Sequence, residues 1–160
     1  MKTTNHPHQI NHELFRCIDQ IGQLSIAAVI GIDQLAASLD EPGDLVFCDE
    51  LASSLELMES QLNYYFPKED REFDPAEWAD ALAVLNSGAD YIEDQATELE
   101  YRFDAVPLSE TLFALSLHFV EAIPYLIAAR IASEGRDQTD RPKADWQVAD
   151  APGRAAEFAY

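Results

Sequence analysis

Four long stretches of this chain place an apolar residue at alternating steps of three and four, which is the spacing along one face of an α-helix. Breaks rich in Pro, Gly and Asp separate the stretches at residues 40–44, 67–74 and 104–108. No run alternates apolar and polar residues between hairpin turn pairs, so no strand is expected. The pattern predicts an all-α fold, a single up-and-down four-helix bundle. We expect its helices near residues 9–39, 44–66, 75–104 and 109–132.

The length of 160 residues fits one domain with one core. We expect residues 1–8 to form a mobile arm, residues 9–132 to form the bundle and residues 133–160 to form a polar tail, partly ordered at most. Cys17 and Cys48 are too few for a disulfide framework, and the first residues lack the apolar run of a secretory signal. The expected location is therefore the cytoplasm, with both thiols reduced.

The third stretch shows the clearest helix signals. Asp74 is placed to cap the helix, Pro75 to occupy its first position and Glu77 to follow in its first turn. Gly88 lies beside the apolar seam and predicts a close contact with another helix. The seam itself consists of Trp78, Leu82, Leu85, Ala89, Ile92, Ala96, Leu99 and Phe103.

The first two stretches carry similar seams. That of the second consists of Phe47, Leu51, Leu55, Met58, Leu62 and Tyr65, and its Met and aromatic residues indicate core packing rather than a cofactor site. The first stretch is apolar all round between Leu24 and Ile32, so Ile26 and Ile30 point away from its seam. Two interpretations remain open: this helix is central and covered on both sides by its own chain, or Ile26 and Ile30 form a dimer or partner face.

The fourth stretch is long enough to span a membrane, but His118, Glu121, Pro124 and Arg130 argue against a membrane span. We predict instead the most buried helix of the bundle, kinked at Pro124. Its polar or small residues share a narrow stripe made of Glu110, Ala114, His118, Glu121 and Tyr125. The residues expected to fill the rest are Leu112, Phe113, Leu115, Phe119, Val120, Ile123 and Leu126.

The negative charge is segregated. The whole chain has a formal net charge of −20, and residues 17–104 account for −18 of it, with 21 Asp and Glu against Lys68, Arg71 and Arg102. Such a surface repels nucleic acid and acidic membranes and attracts basic partners. We therefore expect no direct nucleic-acid binding and no membrane binding.

The helical phase predicts which carboxylates face the partner. Asp90, Asp94 and Glu98 form a solvent-facing row at steps of about 6 Å. The predicted partner-binding residues are Asp49, Glu56, Glu59, Glu77, Asp80, Asp90, Asp94 and Glu98, with Glu50 flanking them. The leading hypothesis is an inhibitor that occupies the basic nucleic-acid-binding surface of a partner by charge mimicry. Phage and plasmid inhibitors of nucleases, repressors and CRISPR complexes use this device as a class.

Other functions are less well supported by these residues. One alternative is a helical adaptor or chaperone-like protein that binds through Ile26 and Ile30; another is a homodimer with no link to nucleic acid. An enzyme would need a polar pocket from His118, Glu121 and Tyr125. Phosphate-binding and hydrolase motifs are missing from the sequence, and His118-x-x-Glu121 lacks the further ligands of a di-iron bundle. We predict no catalytic residue, no metal site and no cofactor.

Overall fold

The computed structural model describes residues 7–67 and 75–139, and the described part is helical. The helices are α1 (Pro7–Ala37), α2 (Pro42–Tyr65), α3 (Trp78–Phe103) and α4 (Val106–Thr139), with a 3₁₀ turn at Pro75–Glu77 before α3. Neighbouring helices run antiparallel, and the described residues contain no strand. The predicted all-α, up-and-down four-helix bundle is confirmed.

Helix ends differ from the predictions where proline was treated as a break. Pro42 and Pro107 lie in the first turns of α2 and α4, so these helices begin earlier than expected. A proline costs little there because the first N–H groups of a helix have no partner within it. α4 also runs to Thr139, beyond the predicted end at residue 132. Residues 1–6 of the predicted arm, residues 140–160 of the predicted tail and the predicted cap Asp74 lie outside the described residues.

The order of the helices around the bundle follows from which pairs touch. α1 packs against α2 and α4, and α3 packs extensively against α4 but only sparsely against α2. The predicted seams face the core: Leu85, Ile92 and Leu99 of α3 are fully buried, as are Leu51 and Leu55 of α2. The helical phase taken from the sequence is therefore right for these helices.

α3 and α4 approach closely because small residues line their contact. Gly88 is buried, and a Cβ built on it would lie 2.5 Å from Cε2 of Phe119, so the predicted close helix contact at Gly88 is confirmed. Ser116 Oγ donates to the carbonyl of Ala89 at 3.0 Å, and Ser109 Oγ donates to that of Ala96 at 2.7 Å. The hydroxyls of Ser109 and Ser116 thus each have a partner on the neighbouring helix.

The expectation that α4 is the most buried helix is wrong, because 39% of its most apolar window is buried against 44% of the corresponding window of α1. Val120, which was assigned to the core, is 49% exposed, and Leu117 is 68% exposed. α4 is apolar nearly all round, so its sequence does not reveal which face meets its neighbours. α4 continues as an α-helix through Pro124, and the kink expected there stays a prediction.

Two segments, Ile10–Ala37 and Val106–Gly135, are long and apolar enough to cross a membrane by length and composition. Core helices of bundles meet the same criterion. Only 44% and 39% of their most apolar windows are buried, so α1 and α4 both present apolar surface outside the core.

Candidate protein-binding surface

Sparse packing between α2 and α3 leaves a solvent-open groove along the bundle. One part, the acidic pocket, has a volume of about 440 Å³. The side chains that line it combine carboxylates with two aromatic rings, an amide and a guanidinium. They are Phe47, Glu50, Tyr91, Asp94, Gln95, Glu98 and Arg102.

The groove continues as an apolar pocket of about 370 Å³. Tyr91 lines both pockets, so they adjoin each other between α2 and α3, and we call the two together the groove. Gly88, on the side of α3 that contacts α4, lines the apolar pocket. Leu57, which is 60% exposed, lines its outer edge. The other lining residues are Ser54, Met58, Gln61, Ala83, Val84 and Ser87.

The predicted carboxylates of α3 lie on or beside this groove. Asp94 and Glu98 line the acidic pocket, and Asp90 is exposed on the same helix one turn before Asp94. Asp80 is exposed near the start of α3, and Glu77 is partly exposed in the 3₁₀ turn. The row of three at steps of about 6 Å therefore runs from the open face of α3 into the groove.

The predicted carboxylates of α2 lie elsewhere. Asp49 and Glu56 are exposed. Asp49 follows the groove residue Phe47 by two positions, and Glu56 follows Ser54 by two, which is a rotation of about 200° around the helix. They therefore project away from the groove, on the flank of α2 where Glu59 is partly buried. Glu50 is the α2 carboxylate that faces Asp94 and Glu98. Its spacing of three from Phe47 indicates that Glu50 flanks the seam, but the spacing does not indicate on which side of α2 the helix α3 lies.

Arg102 is the basic member of the acidic pocket, and its charge is already engaged. Its Nη2 donates to Asp44 Oδ1 at 2.7 Å, and its guanidinium lies 5.0 Å from the ring centroid of Phe47 and 5.2 Å from that of Phe103. The other ion pairs within residues 7–67 and 75–139 join Arg16 to Glu13, His118 to Glu121 and Arg130 to Glu134. None of them includes a predicted partner-binding carboxylate, so these carboxylates keep their charge available.

The alternative apolar face is present but small. Ile26 is 58% exposed and Ile30 is 53% exposed, one turn apart on the outer side of α1. Asp33 is exposed one turn further on, so the apolar surface ends there. A face of two isoleucines is within the range of scattered apolar residues that protein surfaces commonly carry.

A polar cluster between α1 and α4 joins Cys17, which the sequence reasoning did not place there, to His118 and Glu121. Cys17 Sγ donates to Glu121 Oε1 at 3.3 Å, and His118 Nδ1 lies 3.2 Å from the same oxygen. Burial, followed by the bond to Glu121, raises the pKa of Cys17 to about 12, while the thiol bond helps to lower the pKa of Glu121. A thiol so strongly protonated is a poor nucleophile.

Tyr125, the third residue of the hypothetical enzyme pocket, is partly buried on α4, the helix that also carries His118 and Glu121. Among the described residues, no group of three or more His, Cys, Asp and Glu side chains is arranged to hold a metal ion.

The groove and its carboxylates are one surface of the described residues that could bind a partner. What the groove can bind follows from the residues that line it. Comparison with protein-family models, with curated proteins and with solved structures finds no match to this chain.

Proposed function

We propose that this chain is an acidic protein-binding module that occupies the basic nucleic-acid-binding surface of a partner by charge mimicry. The observation that carries the proposal is the acidic pocket, where Glu50 on one wall and Asp94 and Glu98 on the other form no ion pair with any residue of 7–67 or 75–139. Proteins that bind nucleic acid grip phosphates with Lys and Arg, and carboxylates accept the same donors.

The aromatic residues of the pocket support a role beyond solubility. Phe47 and Tyr91 lie among the carboxylates, and Phe47 already receives a guanidinium, that of Arg102, on its ring. A partner's Arg entering the pocket gains a carboxylate and a ring face together, as Arg102 does. Acidic residues that only solubilise a protein need no such neighbours.

The proposal implies a class of partner and a cellular location. The partner is a basic protein that binds nucleic acid, such as a nuclease, a repressor or a CRISPR complex, and this chain inhibits it in the cytoplasm. With a net charge of −20 the chain itself repels nucleic acid and acidic membranes. The function needs neither catalysis nor a cofactor.

A second candidate is a helical adaptor that binds a partner through Ile26 and Ile30. The exposure of both isoleucines, above one half each, favours it. Apolar contacts change little with salt, whereas exposed ion pairs weaken as ionic strength rises. Salt dependence therefore separates the two candidates.

The test begins with capture of partners from the native host at low salt, elution with salt and identification by mass spectrometry. The identified nucleic-acid-binding protein is then titrated with the wild type and with the triple variant Asp90→Lys, Asp94→Lys, Glu98→Lys. We expect the triple variant to lose binding and to melt at an equal or higher temperature, because the three reversals make the net charge of −20 less negative and so lower the repulsion among the carboxylates of the chain. Single reversals are too weak for this purpose, since one exposed pair contributes less than about 1 kcal/mol.

A control of equal charge change keeps the test specific. Asp33, Asp40 and Glu100 are exposed and line neither pocket of the groove, so reversing all three to Lys changes the net charge by the same amount. This control should retain most of the affinity. If both triple variants lose binding equally, net charge rather than the groove attracts the partner. If the α3 variant still binds and salt has no effect, mimicry is wrong and Ile26 and Ile30 become the better candidate.

A further inference from the structure

The outer face of α4 carries an apolar seam that no part of the described chain covers. We call this the α4 outer seam, and its members follow one another at steps of three and four. Leu117 is 68% exposed, Val120 49%, Ile127 39% and Ile131 63%. Pro124 is exposed between them. Val106, 40% exposed, and the partly buried Phe113 extend the same seam toward the start of the helix.

The two inner flanks of α4 are already in use. Toward α1, Leu108 lies against Gly31, and Glu121 accepts a hydrogen bond from Cys17. Toward α3, Ser116 donates a hydrogen bond to Ala89, and Phe119 packs on Gly88. The outer seam is thus a third face, on the side of α4 turned away from the core. Its heptad spacing is the pattern with which one helix packs along another. A helix is therefore the kind of structure that fits it.

The spacing is nearly symmetric about Pro124. Leu117 and Ile131 lie seven residues before and after it, and Val120 and Ile127 lie four before and three after. An antiparallel copy of α4, related by a two-fold axis near Pro124, would place Leu117 of each chain beside Ile131 of the other. Self-complementarity of this kind is the requirement of a two-fold dimer interface.

Charge favours the same occupant. Between residues 106 and 133, α4 contains two acidic residues, Glu110 and Glu121, and one basic residue, Arg130, in a chain whose net charge is −20. Two copies repel each other wherever carboxylates face carboxylates, and the outer seam offers few carboxylates to do so. A basic partner would find no carboxylate row on this seam to pair with.

We propose that a second copy of this chain covers the α4 outer seam, with the two α4 helices antiparallel. The seam from Val106 to Ile131 is about 37 Å long and one helix wide, so it covers about 400 Å² per copy. A standard stable interface covers about 800 Å² per partner. We therefore expect a dimer that dissociates in the micromolar range rather than an obligate one.

Sedimentation velocity on the full chain, across concentrations from about 1 to 200 μM, measures this association. The double variant Leu117→Gln, Ile131→Gln should weaken dimerisation at least about tenfold. The matched control is Ile26→Gln, Ile30→Gln, which removes two isoleucines of similar exposure from α1 and should leave the dissociation constant unchanged. Circular dichroism of both variants checks that the helices are retained.

Cross-linking tests the direction of the helices. A mixture of Leu117→Cys and Ile131→Cys chains should form a mixed disulfide on mild oxidation, while each variant alone should cross-link far less. The native Cys17 and Cys48 are buried and should not compete. Efficient cross-linking of Leu117→Cys with itself would overturn the antiparallel arrangement.

Three further results would overturn the proposal as a whole. One is a chain that stays monomeric at every concentration. Another is a dimer that the Leu117 and Ile131 substitutions do not weaken. The third is a monomer that binds neutral phosphatidylcholine vesicles through these residues, which would assign the seam to a lipid surface.

Discussion

Where α3 meets α4, small residues and buried hydroxyls bring the two backbones close together, whereas between α2 and α3 the bundle opens into a groove. Gly88, Ser109 and Ser116 mark the first contact. Glu50, Asp94 and Glu98 mark the second, where carboxylates approach from both helices. The tight contact is nearly neutral and the open one is strongly acidic.

This difference has a physical cause. Carboxylates on two adjacent helices repel each other and stay hydrated, so α2 and α3 cannot close over them as α3 and α4 close over Ser and Gly. Packing and charge are thus divided between two faces of α3. The same helix is a core element toward α4 and a binding element toward α2.

The largest expected effect contrasts two neighbouring residues of α3. Leu85→Ala or Ile92→Ala should lower the free energy of unfolding by about 2–5 kcal/mol, because both side chains are fully buried. Val84→Ala should cost less than about 1 kcal/mol, because Val84 lines the open groove and is partly exposed. Urea denaturation measures both. Equal losses at residues 84 and 85 would mean that the groove is as well packed as the core.

The next effect tests the close approach of α3 and α4. Gly88→Ala places a methyl group against the buried ring of Phe119 and should destabilise the fold by about 1–3 kcal/mol, despite the better helix propensity of alanine. Gly43→Ala is the control, since nothing lies within 4 Å of its Cβ. The control should be neutral or slightly stabilising in the same denaturation experiment. A stabilising Gly88→Ala would show that the two helices have room to spare.

The smallest effect concerns pH and the contact of α1 with α4. The pKa of Cys17 rises from an ordinary value of 9.0 to about 12, so between these values the native state holds a proton that the unfolded state has lost. Stability should therefore fall as pH rises above 9, by at most about 1.4 kcal/mol per pH unit. Cys17→Ser, which keeps a donor for Glu121 and does not titrate, should remove that part of the slope. Parallel pH dependences for the two proteins between pH 8 and 10 would contradict a buried, protonated thiol.

The sequence predicted the parts of the fold in which polar and apolar residues alternate with a helical period. Leu85, Ile92 and Leu99 were placed correctly because charged residues mark the opposite face of α3. The close contact at Gly88 was predicted because a glycine beside an apolar seam has few other uses in a helix. Both inferences need only local spacing.

What the sequence could not supply depends on the order of the helices. α4 has so few charged residues that no phase distinguishes Val120, which is exposed, from Leu112, which is buried. Glu50 joins the groove and Asp49 does not, because α3 lies on one particular side of α2. Cys17 and Glu121 are 104 residues apart, so their contact follows only from the pairing of α1 with α4.

Asp104, the residue that ends α3, adopts a left-handed backbone conformation with φ of 53°, and with Ala105 it makes the whole connection to α4. The entropy lost in closing a loop grows with its length, so α3 and α4 are the neighbours that the chain brings together at least entropic cost. They are also the pair with the most extensive contact. The helical hairpin from Trp78 to Thr139 is therefore the section in which chain connectivity and side-chain packing favour the same assembly step, and α1 and α2 add to it across longer connections.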